Sequence, residues 1–474
     1  MLIEFRVGNF RSFAEPQNFS LVASPDTRHP DNCIPFGKQR LLKSAGLFGA
    51  NASGKSNLIK AIDFMWRFVL HSATRMNVGD EIPVVSFQLD PDSRGKASFF
   101  ETQFVIDDMR YQYGFTATSK RVQDEWLIAY PKSRPQHLLE RSFDLESSQT
   151  TWAFRGELHK KGTLLRERTR DNGLVLSRGA EMNIGPLTTV FLWFLRKMAV
   201  FDLSDSLSAL IQQTAVRIKD APVFRERVLR LIRHADLGIG DLEVTEQHAR
   251  YVSASLPASL IGESWPMSSA HGPAGTVISG TSTSSVPVTV TSGTTMWSVP
   301  MTVASGTTTD IPGGFSFPIG HTIQSIHRAT GGEPVRFNFL EAESNGTQRF
   351  FALAGPWLDA LDQGGLLVID ELDCSMHPTL TRKLIELFQT RGANPKGAQL
   401  VFSTHDSTLM DQELFRRDQI WIVEKDQAGA SRLSSLYDFE EKPRNNEALQ
   451  RRYLAGRYGG VPVFGPTFED LELK

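Results

Sequence analysis

The chain has 474 residues, a formal net charge of −2 and two cysteines. That length accommodates two or three average domains or one large domain with an insertion. Near-neutral charge excludes a global basic field for nucleic acid, and the cysteine count excludes a disulfide framework.

In chain order, Leu2 to Val7 alternates in a strand pattern, Gly8-Asn9 turns, and Phe19 to Ala23 is a second strand. The opening "MLIEFRVGNFRSF" lacks the apolar core of a signal peptide. Ala45 to Phe48 is a short apolar run ending in a glycine-bearing loop. The following "SNLIKAIDFMWRFVLHSA" puts Leu58, Ile62, Met65, Phe68 and Val69 on one helical face. Alternation from Ser98 to Thr118 predicts antiparallel strands about an Asp107-Asp108 turn. Helical patterns dominate from Pro186 to Arg233, and the apolar segment Val190 to Leu203 is too short and too charged to span a bilayer. A cytoplasmic protein with no membrane partner is expected.

From Tyr251 to His321 the only acidic or basic residues are Glu263 and Asp310. "TVISGT" at 276, "TVTSGT" at 289 and "TVASGT" at 302 recur at a spacing of 13, each followed by Val-Pro or Ile-Pro. This Ser/Thr/Val-rich insertion reads either as stacked β-turn units or a meander, or as a flexible low-complexity segment. The globular pattern then returns: a strand from Val335 to Leu340, a helix from Gln348 to Leu361, and a buried strand "GLLVID". A helix from Pro378 to Arg391 and the strands "QLVFST" and "QIWIVEK" complete an α/β pattern. The predicted parts are an N-terminal lobe (1–130), a helical lid region (131–250), the repeat insertion (251–321) and a C-terminal lobe (322–474).

Four motifs carry chemistry. "GANASGKS", Gly49 to Ser56, matches G-x-x-x-x-G-K-[ST] between a strand and a helix. Gly49 and Gly54 curl the backbone toward phosphates, Lys55 reaches the β- and γ-phosphates, Ser56 holds Mg²⁺ at the helix N-terminus, and Asn51 and Asn57 join them as nucleotide-binding residues. In "LLVIDELD", Asp370 ends a strand where it binds the magnesium through water, and Glu371 is the general base. In "LVFSTHD", His405 follows the next strand. "ESNGTQR" is a turn when taken alone.

The succession "GANASGKS", "ESNGTQR", "VIDELD" and "STHD" resembles the ABC/SMC-like ATPases. That resemblance implies a P-loop NTPase of ABC-ATPase type, with a mixed central sheet, flanking helices and an antiparallel β subdomain. It makes His405 a sensor of the γ-phosphate. It makes Ser344 and Gly346 part of a signature loop serving the ATP of another subunit, with Asn345 and Thr347 departing from the transporter form. "VGNFRSF" is similar to the N-terminal strand of SMC-, RecF- and OLD-like ATPases, which implies that Arg11 and Ser12 lie near the nucleotide. The Mg²⁺-ligating glutamine of the class falls on Gln88, for which a surface strand residue is the alternative. "ELDCSMHP" resembles the D-loop of these ATPases. "RRYLAGRYGGVPVF" resembles the end of RloA-like AAA-family ATPases of bacterial anti-phage loci.

The expected function is an ATP- and Mg²⁺-dependent sensor or regulator in abortive infection. It would be a homodimer or larger homo-oligomer formed through an ATP sandwich, controlling an effector from the same locus. The alternative is a RecF/SMC-like DNA-repair or chromosome-associated ATPase, for which nucleic acid is a partner.

Overall fold

The computed structural model describes residues 1–131, 134–251, 283–292, 295–304, 315–439 and 448–462. It divides into two compact units, Met1–Ile211 with Ser344–Lys474, and Gln212–Glu343.

The first unit contains two sheets. One is antiparallel and seven-stranded, ordered Gln149–Phe154, Gln136–Asp144, Val122–Tyr130, Met109–Ala117, Ser98–Ile106, Leu2–Gly8 and Gln17–Ser20. Its central hairpin turns at Asp107 and Asp108, with φ of 47° and 61°. Two consecutive positive φ values suit the right-handed twist of a two-residue hairpin, which is why acidic turn formers stand there. The sheet continues through Gln136–Phe154, so the stretch from 131 onward, expected to be helical, opens with two strands. Short alternating strands of mixed polarity carry a weaker signal than the long apolar helices after Pro186, and those helices dominated the sequence pattern.

The second sheet is ordered Met198–Asp202, Leu366–Asp370, Gln399–Ser403, Ser44–Phe48, Ile420–Lys425 and Ser431–Ser435. Every pairing is parallel except the last. Ser44–Phe48, Leu366–Asp370 and Gln399–Ser403 are buried at every residue, as strands covered on both faces must be. Helix Lys55–His71 joins the two sheets: Leu58, Ile62 and Met65 share one core with Phe5, Phe10 and Phe100 and with Leu47, Val368 and Val401. Stacking of Phe104 on Trp193, with centroids 4.2 Å apart, extends this core. Because the strands run parallel, their carboxyl ends meet at one edge, and residues 49–54, 371–377 and 404–406 gather there.

In the second unit, Asp241–Tyr251 pairs antiparallel with Phe315–Arg328, which pairs with Pro334–Asn338. The last strand is exposed throughout and leads into a one-turn helix, Phe339–Ala342. Within the insertion, Thr283–Ser292 and Thr295–Ala304 form a single antiparallel ribbon. The first repeat copy, at 276–281, lies outside the described residues. Among the described residues no helix is long and apolar enough to cross a membrane.

Candidate functional site

The loop Gly49–Gly54 leaves strand Ser44–Phe48 and enters helix Lys55–His71, with Gly54 as N-cap at φ 114°. A Cβ on Gly54 would lie 2.1 Å from Ser431 Oγ and 2.9 Å from Ser12 Oγ, so only glycine fits. Lys55 is 4% exposed and donates from Nζ to the carbonyls of Gly49 (2.7 Å) and Ala50 (3.1 Å). Burial lowers its pKa to about 8, while Asp370, Asp373 and Glu371 pull in the opposite direction. A buried ammonium that donates to loop carbonyls can donate to phosphate oxygens in their place.

Around the loop runs a hydroxyl chain. Asn57 Nδ2 donates to Ser12 Oγ at 2.7 Å, Ser431 Oγ lies 2.7 Å from Ser12 Oγ, and Ser431 also donates to the Ser53 carbonyl at 2.6 Å. The expected residues Ser12 and Asn57 are therefore joined to the loop. Ser431 was not foreseen, because a serine starting an edge strand carries no motif. Asn51 is exposed at the loop crest and Ser56 is half-buried in the first turn of the helix. Arg11 stands at φ 50° with its N–H on the Val85 carbonyl, its guanidinium 5.6 Å from the Phe10 ring centroid. It lines a cavity of about 830 Å³ together with Phe10, Lys60, Asp63, Asp202 and Asp370.

At the adjoining strand ends, Asp370 is buried and accepts a hydrogen bond from Ser403 Oγ. The same Ser403 oxygen accepts from the Glu371 N–H at 2.8 Å. Glu371 is held at φ 53°, which turns its carboxylate out of the strand into the open. His405 Nε2 lies 4.0 Å from Glu371 Oε1, and its own N–H reaches Asp373 at 3.2 Å. Thr404 N–H donates to Leu47 O at 3.1 Å, tying the histidine strand to the strand before the phosphate loop. Ser403 and Asp373 are further site residues that motif spacing does not single out. Their only signal is a polar residue at the end of an apolar strand and a third acid in "DELD".

Ser344 caps helix Asn345–Gln363: its Oγ accepts from the Thr347 N–H at 3.1 Å. The helix starts three residues before its predicted position because this cap, not the first apolar residue, sets its origin. A Cβ on Gly346 would lie 2.3 Å from the Ser375 carbonyl, and Arg349 donates to the Cys374 carbonyl at 3.3 Å. The stretch "ESNGT" is thus packed on the "DCS" turn of its own chain, and the Ser344 side is exposed. Gln88 is exposed as well. It donates to the Ser86 carbonyl at 3.0 Å and lines a separate cleft with Arg94, Lys96 and Lys120, so the structure does not bring it into the cluster of Lys55, Asp370 and Glu371.

Among the described residues no group of three His, Cys, Asp or Glu side chains could hold a metal by itself. One hydroxyl and one carboxylate, Ser56 and Asp370, match instead the sparse protein ligation of Mg²⁺, which takes its remaining ligands from water and phosphate.

Residues 44–411, from the strand before the phosphate loop to just beyond His405, match the sequence model of the family described as "AAA domain, putative AbiEii toxin, Type IV TA system". The chain belongs to this AAA-domain family. The α/β P-loop NTPase fold expected from the motif order, with a mixed central sheet, flanking helices and an antiparallel β subdomain, is the fold observed. Nucleotide binding goes with membership. No curated protein matches the chain. Among solved structures, the SMC head domain from Thermotoga maritima is 14% identical, covering 92% of this chain and 98% of that one at a TM-score of 0.35. The SMC head bound to the C-winged helix domain of ScpA is 13% identical, covering 92% and 97% at a TM-score of 0.42. The fold assignment rests on the strand order and loop positions given above.

Proposed function

We propose that this protein hydrolyses ATP with Mg²⁺ in sites shared between two copies of the chain, and uses that cycle to regulate a separate effector in abortive infection. The carrying observation is the convergence of Lys55, Asp370, Glu371 and His405 at one sheet edge, with His405 4.0 Å from Glu371. Lys55 and the loop N–H groups hold the phosphates, and Ser56 and Asp370 hold the ion that neutralises them. Glu371, exposed and turned outward, takes the proton of the attacking water. His405 reports the γ-phosphate by its position beside that carboxylate.

Ser344 and Gly346 supply the second half of each site. They crown a 19-residue helix whose N-terminus is an anion site, and Ser344 makes no hydrogen bond to the phosphate loop of its own chain. In this reading their ligand is the ATP of another copy. The role in defence is supported by the family's abortive-infection and toxin–antitoxin description.

Steady-state ATP turnover tests the reading, with Glu371→Gln expected to bind ATP and not turn it over. Mixing Lys55→Ala with Ser344→Ala protein, each inactive alone, should restore turnover, because one intact composite site forms per mixed pair. Absence of restoration would remove the shared site. Plaque assays with the intact locus should lose protection in the Lys55→Ala allele, and full protection there would remove the regulatory role.

A further inference from the structure

The segment "LQRRYLAGRYGG" is not used by the chemistry above, yet it touches two loops of the site. It forms a short helix, Leu449–Leu454, followed by a glycine-rich turn to Gly460. Leu449 and Tyr453 anchor it at 1% and 7% exposure. At its start, Gln450 Nε2 donates to Ser407 Oγ at 3.3 Å, and Ser407 stands two residues after His405. At its end, Gly460 packs under the phosphate loop. A Cβ there would lie 2.7 Å from Ile422 Cγ2 and 3.4 Å from Gly49 Cα, at a backbone φ of 66°. The buried Tyr453 hydroxyl donates to the Gly460 carbonyl at 2.9 Å and closes the segment on itself.

We infer that residues 449–460 are a strap that fixes the histidine segment relative to the phosphate loop, with Gln450 and Tyr453 as positioning residues for hydrolysis. Three features of the segment carry this. The segment's two ends contact two different loops of the site. One contact is a side-chain amide on a hydroxyl, and the other is a glycine whose lack of a side chain leaves room for Gly49. The internal Tyr453–Gly460 bond makes the intervening turn a fixed spacer, so the two contacts are held at one separation. Gln450 acts through Ser407 on His405, and Tyr453 acts through Gly460 on Gly49. Neither residue is assigned contact with the reacting atoms.

The inference rests on the ATPase reading above, and the experiment separates the two. Affinity for a fluorescent ATP analogue and steady-state turnover are measured on the full chain for wild type, Lys55→Ala, Gln450→Ala, Gln450→Glu and Tyr453→Phe. Thermal melting of each variant confirms folding. Gln450→Ala should lower kcat about fivefold with affinity within about twofold, as expected for one lost orienting hydrogen bond. Gln450→Glu, whose carboxylate accepts from the Ser407 hydroxyl, should recover most of that loss. Tyr453→Phe should weaken affinity about threefold by releasing Gly460 from under the loop. Folded Gln450→Ala and Tyr453→Phe proteins with wild-type kcat and affinity would overturn the strap. Wild-type protein that binds no analogue, or binding unchanged by Lys55→Ala, would instead overturn the nucleotide reading on which it stands.

Discussion

Replacing Ser403 by alanine tests the core of the site, because one buried hydroxyl serves two partners there. Its Oγ donates to Asp370 and accepts from the Glu371 N–H at 2.8 Å. Deleting it removes a hydrogen bond to a charged group, about 1.5–3 kcal/mol, and orphans a backbone N–H, about 1 kcal/mol more. A total near 3 kcal/mol is a substantial part of the ~5–15 kcal/mol that holds a domain together, so the variant folds with a clearly lowered urea midpoint. The kinetic effect is separate. Glu371 sits at φ 53°, a conformation that costs a non-glycine residue about 1 kcal/mol or more and persists only while its N–H is held. Once released, Glu371 relaxes and the general base loses its aim, lowering kcat about tenfold or more. ATP affinity, set by Lys55 and the loop, should change by less than about threefold. Ser403→Cys, with a weaker donor, should fall between wild type and Ser403→Ala. Urea unfolding, turnover and fluorescent-nucleotide binding give the three readings. A Ser403→Ala protein within about 0.5 kcal/mol of wild type in stability, with turnover within about twofold, would refute the reasoning.

Four further outcomes are expected. Because burial lowers the Lys55 pKa from 10.5 to about 8, the free site carries the charged form only below that pH, so ATP affinity should fall as pH rises through 8 and the fall should vanish in Lys55→Ala. For the same group the unfolded chain holds its proton up to the higher value, so Lys55 makes nucleotide-free stability rise between about pH 8 and 10.5; urea midpoints across that window, compared with Lys55→Ala, check the sign. Ser344→Ala removes the N-cap bond to Thr347 and should lower stability by about 1 kcal/mol, while abolishing turnover and sparing ATP binding by the single chain. Arg416→Ala should destabilise by about 3–5 kcal/mol in urea unfolding, since Arg416 is fully buried, pairs with Asp418 at 2.7 Å and caps the Asp26 and Arg28 carbonyls.

The chemistry-bearing loops were legible in the residue order because each is local. A strand, a curled loop and a helix are adjacent in sequence, and the apolar runs "LLVI" and "LVF" announce strands buried on both faces. The Mg²⁺-ligating glutamine was not legible: a lone glutamine carries no periodicity and no neighbour to anchor it, and Gln88, expected in that role, lies in a separate cleft. The antiparallel strands Gln136–Asp144 and Gln149–Phe154 were hidden for a related reason: neither buries strictly alternate residues, and the second, at the sheet edge, buries none. Ser403, Asp373 and Ser431 could not be found from spacing either. Each acts across the fold, over 33 residues from Ser403 to Asp370 and 419 from Ser431 to Ser12.

By itself, then, the order of residues determines which side chains can hold phosphate, magnesium and a proton, because those demands are met by residue types at short fixed spacings. Only the tertiary structure decides that Glu371 faces His405, that Gly54 lies against Ser431 and that the tail reaches Gly49. These are distances between segments that lie from tens to hundreds of residues apart, and packing of two sheets on one helix, rather than any local preference, sets them.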